Sequence, residues 1–289
     1  MNSHILVCDF DEDLISRLQN QNFVVRVESL DLIPHAIRVV QEKNHLHTFW
    51  LHTDVPLSDL PSHDLENTGA VPYYIEVRGL GNFQESIGKI RLLRSLNVMI
   101  LIPEDAPGSY RDCKILSSLF VPCGIKFGSQ NPAWDSLADL MSYFVYSKVP
   151  HAPIEPFHFV ISNYDPQKRI DFNFIYFEDP SKFLHLDARG WIALSRKDLE
   201  REEFISTDLS QLDQIEDLPA FGQRLESWRE FFLKPDGCAY CPGWRICLGK
   251  FEEGADKESG CKRFFSEWMD ATEYYQVQKA RSEVAHKTW

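Results

Sequence analysis

The sequence predicts an α/β fold, a parallel sheet with crossover helices followed by a small cysteine-bearing tail, on three observations. Short runs rich in Val, Ile, Phe and Tyr alternate with stretches of helical periodicity from Phe23 to Tyr146. Such alternation requires parallel pairing with right-handed crossovers, hence an open sheet or a complete or partial barrel. The chain has 289 residues, 44% of them hydrophobic, enough to bury one or two ordinary cores without a disulfide scaffold. Four of its seven cysteines fall in the last fifth of the chain. In a reducing compartment that crowding points to metal binding rather than disulfides.

In order, Phe23 to Glu28 and Thr48 to His52 read as strands around a helical pattern at Ile33, Ala36, Ile37 and Val40. Tyr73 to Val77 is a strand ended by Gly79-Leu80-Gly81-Asn82. A helix follows with Ile87, Ile90, Leu93 and Leu96 on one face, then the strand Val98 to Ile102. A turn at Pro107-Gly108, a helix near Asp112 to Phe120, the strand Gly124 to Phe127 and a helix from Trp134 to Tyr146 complete this part. After the proline-studded link Val149 to Pro156 the pattern changes to adjacent strands, Phe157 to Ser162 and Phe172 to Phe177. A hairpin is expected from Phe183-Leu184-His185-Leu186 across Gly190 to Trp191-Ile192-Ala193-Leu194. A helix from Leu218 to Phe232 carries Phe221, Leu225, Trp228 and Phe232 on one stripe. The last helix carries Phe264, Phe265, Trp268, Thr272 and Tyr275. Three regions follow: residues 1–156, an α/β unit; 157–227, strands, a hairpin and an acidic connection; and 228–289, the cysteine region.

Charge sharpens the division. The formal net charge is −13, which argues against a phosphate-backbone partner, since that affinity is built from Lys and Arg. No nucleic-acid ligand is expected. Residues 228–289 hold equal numbers of acidic and basic groups, so the whole excess lies before them. Between Asp198 and Asp217 stand eight carboxylates and one Arg201, a solvated connection in the simplest reading and a docking face for a basic partner in the sharper one. The first residues lack a basic leader, and no run approaches the roughly 18 apolar residues of a membrane span, so a cytoplasmic protein without membrane association is expected.

Cys238, Cys241, Cys247 and Cys261 spell C-x2-C-x5-C-x13-C. Four thiolates close a tetrahedral site, and both a structural zinc and a four-iron cluster accept such a set. Pro242 and Gly243 turn the chain, and Gly260 allows its return. Spacing alone favours zinc.

The segment Cys238-Ala-Tyr-Cys241-Pro-Gly-Trp-Arg-Ile-Cys247-Leu-Gly-Lys-Phe251 resembles the C-terminal SPASM domain of radical-SAM peptide-modifying enzymes. That domain reads C-x9-15-G-x4-C, a gap, C-x2-C-x5-C-x3-C, a gap, and a final C, and it holds two auxiliary four-iron clusters. The ligands of one cluster have counterparts in Cys238, Cys241, Cys247 and Cys261. Those of the other do not: Phe251 stands four residues after Cys247, and the position five after Gly190 is Ser195. The resemblance therefore implies one [4Fe-4S] cluster, with zinc as the alternative.

Upstream, Ile75 to Phe83, a helix and Val98 to Ile102 resemble the second strand, the SAM-binding Gly-Gly-Glu-Pro turn and the third strand of the radical-SAM partial barrel, with the Glu and Pro lost. After the strand ending near Thr53 that family places a C-x3-C-x2-C loop. Here Asp54 to His63 contains no cysteine, and Cys8, Cys113 and Cys123 stand ten or more residues apart. Without three ligands and an open iron, SAM cleavage has no site. The resemblance implies a degenerate partial (β/α) barrel with a reduced SPASM-like domain, no SAM and no catalytic residues. Its implied role is that of an accessory to ribosomal-peptide maturation, binding a precursor peptide, an active radical-SAM maturase, or both. The barrel edges and the hairpin at Gly190 offer strands that an extended peptide could join. An electron-transfer subunit, a zinc-based interaction module, and an enzyme of its own using the cluster or a bound nucleotide stay as alternatives.

Other patterns have plainer explanations. Gly79-Leu-Gly81 lacks the third glycine of a dinucleotide turn and reads as an ordinary strand-to-helix turn. Asp9, Asp11, Glu12 and Asp13 lack the spaced Gly and closing Glu of a calcium loop and read as an acidic helix start. His35, His45, His47, His52 and His63 lack the i, i+4 spacing of a ligand pair.

Overall fold

The computed structural model describes residues 4–61, 72–128, 132–223, 226, 241, 243–248, 251 and 260–287, with side chains in the last helix described to residue 278. Its centre is a nine-stranded sheet. The strands are β1 Ile5–Asp9, β2 Asn22–Val27, β3 His45–His52, β4 Tyr73–Glu76, β5 Val98–Pro103, β6 Cys123–Lys126, β7 Ile154–Glu155, β8 Phe183–Leu186 and β9 Ile192–Ala193. They lie in the order β7-β6-β5-β4-β3-β2-β1-β8-β9. Every pairing is parallel except β8 with β9. From β1 to β7 each strand lies beside its predecessor in sequence, so right-handed crossovers carry the helices that connect these strands to one face. Residues on both sides of position 156 build this one sheet. The first 46 residues supply its first two strands and the start of the third.

The intervening helices are α1 Glu12–Ser16, α2 Ile33–Lys43, α3 Phe83–Leu93, α4 Ser109–Ser118 and α5 Trp134–Tyr146. The acidic run at Asp11 to Asp13 does start a helix: Asp11 Oδ1 accepts from Leu14 N–H at 2.8 Å, capping α1, with Glu12 and Asp13 in its first turn. The helix-facing side of the sheet is uniformly apolar. Leu6, Phe23, Val25, Phe49, Leu51, Ile75, Ile100, Ile102 and Ile125 are at most 1% exposed, each contributing roughly 1.5–3 kcal/mol by leaving water.

Two expected strands are helical. Phe157–Ser162 forms α6, and Phe172–Tyr176 forms a 3-10 turn. Their aromatic and β-branched content suggests strands, yet the buried residues of α6 are Phe157, Val160 and Ile161, a helical i, i+3, i+4 set. Asp171 Oδ1 accepts from Asn173 N–H at 2.9 Å and so caps the start of the 3-10 turn. This segment covers the second face of the sheet: Phe177 packs 5.5 Å from Trp50 and 5.0 Å from Tyr74, and the Tyr176 hydroxyl donates to the Ile125 carbonyl.

The hairpin forms as expected, β8 pairing antiparallel with β9. Its outer edge is not open to an added strand. Ile192 N–H donates to Ser206 O at 2.8 Å and Ile192 O accepts from Ile205 N–H at 2.8 Å, so the protein itself occupies that edge. The acidic segment continues as α7 Arg196–Glu200 and the 3-10 stretch Leu209–Asp217, with Leu212 and Ile215 buried and seven of its eight carboxylates exposed.

The expected helix at Leu218 to Phe232 lies mostly outside the described residues; Phe221 in its first turn is buried. Beyond it come the short α8 Trp244–Cys247 and the 28-residue α9 Gly260–Lys287. Helix α9 runs beside α5 in the same direction: Trp134 lies 5.6 Å from Phe264 at one end and Tyr146 lies 5.4 Å from Tyr274 at the other. Of its expected stripe, Phe264, Phe265, Trp268 and Thr272 are buried, whereas Tyr275 is exposed. Among the described residues no helix is long and apolar enough to cross a membrane.

Candidate functional site

Cys241 and Cys247 bracket a tight knuckle. Trp244 N–H donates to Cys241 O at 3.1 Å and Cys247 N–H to Gly243 O at 2.9 Å. Leu248, at φ 49°, ends α8 in the left-handed region. Burial raises the Cys241 thiol pKa above its ordinary value. The N–H groups of Gly243 and Trp244 aimed at its sulfur, and Lys262, work in the opposite direction. Such N–H donors favour the thiolate, the form a metal takes. Cys261 lies in the first turn of α9, where the helix dipole also favours a thiolate.

Cys238 lies outside the described residues. Cys241, Cys247 and Cys261 form no disulfide. Among the described residues no three His, Cys, Asp or Glu side chains converge as a ligand set. The structure therefore does not bring Cys241, Cys247 and Cys261 together as a three-ligand group, and at Cys241 burial outweighs the N–H groups that favour the thiolate.

The two positions that the resemblance would assign to a second cluster do other work here. Phe251 is 1% exposed and packs edge-on to Trp134 at 5.1 Å and Phe127 at 5.3 Å. Ser195 caps α7, its Oγ accepting from Asp198 N–H at 3.1 Å.

The loop after β3 and the turn after β4 are bonded to one another. Arg78 N–H donates to Val55 O at 3.0 Å, Leu57 N–H to Gly79 O at 2.9 Å and Ser58 N–H to Leu80 O at 3.1 Å. The buried Lys89 ammonium reaches from α3 to the carbonyls of Leu57, at 3.1 Å, and Ser58. Gly81 has φ +68°, and a Cβ there would stand 2.8 Å from Pro56 Cβ. Both the turn and the close approach therefore require glycine. Leu57 and Leu60 are buried beneath.

Sequence reasoning missed the charged end of the second sheet face. Registered partners and alternate residues place Asp9, Arg26, Trp50, His52, Glu76 and Lys126 together at the C-terminal ends of β1 to β4 and β6. The Glu76 carboxylate, 3% exposed, accepts from Trp50 Nε1 at 3.1 Å and from Lys126 Nζ at 2.7 and 2.9 Å. His52 Nδ1 stands 3.2 Å away, without the alignment of a full hydrogen bond. Burial opposes ionisation of Glu76, but His52 and Lys126 outweigh it and hold the carboxyl at about 2. Lys126 also lies 4.9 Å over the Trp50 ring and Arg26 5.6 Å from its centroid. Arg196, at the start of α7, binds Asp9 at 3.0 and 3.3 Å. The available signal was a charged or imidazole group near the end of each apolar run: Val-Val-Arg26-Val, Trp-Leu-His52, Tyr-Ile-Glu76 and Gly-Ile-Lys126.

No protein-family model matches the sequence, and no curated protein matches it.

The fold therefore has two chemically distinct places. One is the cysteine knuckle pressed on α9, found from the sequence; the other is the polar end of the sheet, which only strand register assembles. His35 pairs with Glu12 at 2.9 Å on the surface, and His45 and His47 sit at the opposite end of β3 from His52.

Proposed function

We propose that this protein is a non-catalytic accessory of ribosomal-peptide maturation, built on a degenerate partial (β/α) barrel and a reduced SPASM-like domain. In this reading Cys238, Cys241, Cys247 and Cys261 hold one [4Fe-4S] cluster, and the partner is a precursor peptide or an active radical-SAM maturase. The observation that carries the reading is the backbone ladder joining Val55–Ser58 to Arg78–Leu80. In a barrel of the radical-SAM kind those two loops frame the cluster and SAM, and here they close on each other. Strands β1 to β7 in sequential order support the barrel half. The cysteine spacing C-x2-C-x5-C-x13-C supports the metal half.

The test is iron, sulfide and zinc analysis of the full-length protein purified without oxygen, beside Cys241→Ala and Cys261→Ala. Four irons and four sulfides per molecule, lost in both variants, are expected. One zinc per molecule replaces the cluster by the structural-zinc alternative, and metal-free protein overturns the metal assignment. Co-purification with a neighbouring maturase or peptide tests the accessory role. Turnover of SAM by the isolated protein overturns it.

A further inference from the structure

Arg26 is a largely buried guanidinium with one donor, Nε–H, left without a partner among the described residues. Its side chain is 13% exposed. Its Nε is shut from solvent with no hydrogen-bond partner among the described residues. Its ionic neighbour, Asp9, lies 3.5 Å from Nη1, outside good hydrogen-bond range. Both Asp9 oxygens are instead held by Arg196, at 3.0 and 3.3 Å. An Nε–H taken out of water and left without an acceptor is costly. Native proteins keep such an arrangement where a ligand or ordered water completes it.

Arg26 is the penultimate residue of β2, on the face away from the crossover helices, and in parallel α/β sheets ligands collect at the carboxyl ends of strands. Arg196 and Lys126 stand nearby, 34% and 30% exposed, so the site reaches solvent. The Trp50 ring forms an apolar wall between Arg26 and Lys126. Burial, and next the like charge of Arg196, pull the Arg26 pKa below its ordinary value, as two guanidiniums sharing one carboxylate should.

We propose that Arg26 anchors a carboxylate-binding site, its fork taking both oxygens of the ligand, with Lys126 and Arg196 flanking and Trp50 against the ligand's apolar stem. The planar fork matches a carboxylate in a way an ammonium does not. The chemistry is shared by an acidic side group and the C-terminus of a peptide. It does not depend on a metal at the cysteines, so its failure leaves the metal assignment standing, and the reverse.

The experiment follows the arginine Nε–Hε signals of the full-length protein by NMR. The probes are N-acetylglycine, as a peptide terminus, and N-acetylaspartate α-amide, as an acidic side group, with sodium chloride at matched ionic strength and inorganic phosphate as comparisons. A saturable shift of the Arg26 signal by either carboxylate, absent with chloride, is expected; the tighter of the two identifies the source. Arg26→Lys should weaken binding at least tenfold while keeping the charge. Arg196→Gln, on the exposed rim, gives a second folded variant with weaker binding. Shifts no larger than those with chloride, retention of binding in Arg26→Lys, or tighter binding of phosphate overturns the proposal.

Discussion

Gly243 rests directly on Phe265: a Cβ added to the glycine would overlap Phe265 Cβ and stand 3.0 Å from its Cγ. The turn that carries Cys241 and Cys247 is thereby held against the helix that carries Cys261, one turn of α9 from that cysteine. Gly243 has an ordinary helical φ of −79°, so the requirement is space rather than backbone freedom.

Gly243→Ala should lift the knuckle from α9. The expected cost is about 1–3 kcal/mol of stability from overpacking, read by urea unfolding. If the proposed metal assignment holds, a greater loss of metal than of fold is expected, because the displacement falls between cysteines. Unchanged metal content and stability would show that the turn and helix separate freely.

Glu76→Gln should destabilise the polar end of the sheet. The folded carboxyl titrates at about 2 and an ordinary Glu at 4.5, so the folded state binds this proton less tightly. Its contribution is complete above about pH 4.5 and is lost as pH falls through about 2. The difference corresponds to about 3 kcal/mol. The variant should be less stable at neutral pH by a similar amount and show a shallower loss of stability between pH 4.5 and 2. Parallel acid-unfolding curves for the two proteins would refute the linkage.

Phe251→Cys tests the position that the resemblance would assign to a ligand of a second cluster. Removing the ring from its contacts with Trp134, Phe127 and Phe265 leaves a cavity costing about 3 kcal/mol. No gain in iron is expected, even with Ser195→Cys added, since that change also removes the cap of α7, worth about 1 kcal/mol. Doubled iron content in the double variant would contradict this account.

His158 offers a pH dependence of the opposite sign. Its Nδ1 lies 3.1 Å from Glu155, and that bond raises its pKa above 6.5 against the effect of burial. The contribution to stability is complete below pH 6.5 and is lost as pH rises through the folded value. His158→Gln should flatten the stability profile on that alkaline side. An NMR titration placing His158 at or below 6.5 would disprove it.

The α/β class and the elements between Phe23 and Tyr146 were legible because long helices with one apolar face and short β-branched strands carry their periodicity locally; Trp134–Tyr146 matches its expected bounds. Six-residue aromatic segments were not, because Phe157–Ser162 is too short for its period to overrule its composition. The edge of β9 was misjudged for another reason: Ile205 and Ser206 return to it from beyond the hairpin, a pairing that local pattern does not encode.

The sequence by itself determined the cysteine spacing, the lack of cysteine in the loop after β3, and the confinement of net charge to the first 227 residues. These are properties of residue type along the polypeptide. Only the tertiary structure decided that the 55–58 loop and the 78–80 turn bond to each other, and that Arg26, Trp50, Glu76 and Lys126 meet. In a parallel sheet, neighbouring side chains come from strands some 20 to 50 residues apart, as with Lys126 and Glu76. Register alone sets which of them share a face, so a charge that reads as an isolated strand end becomes part of one electrostatic cluster.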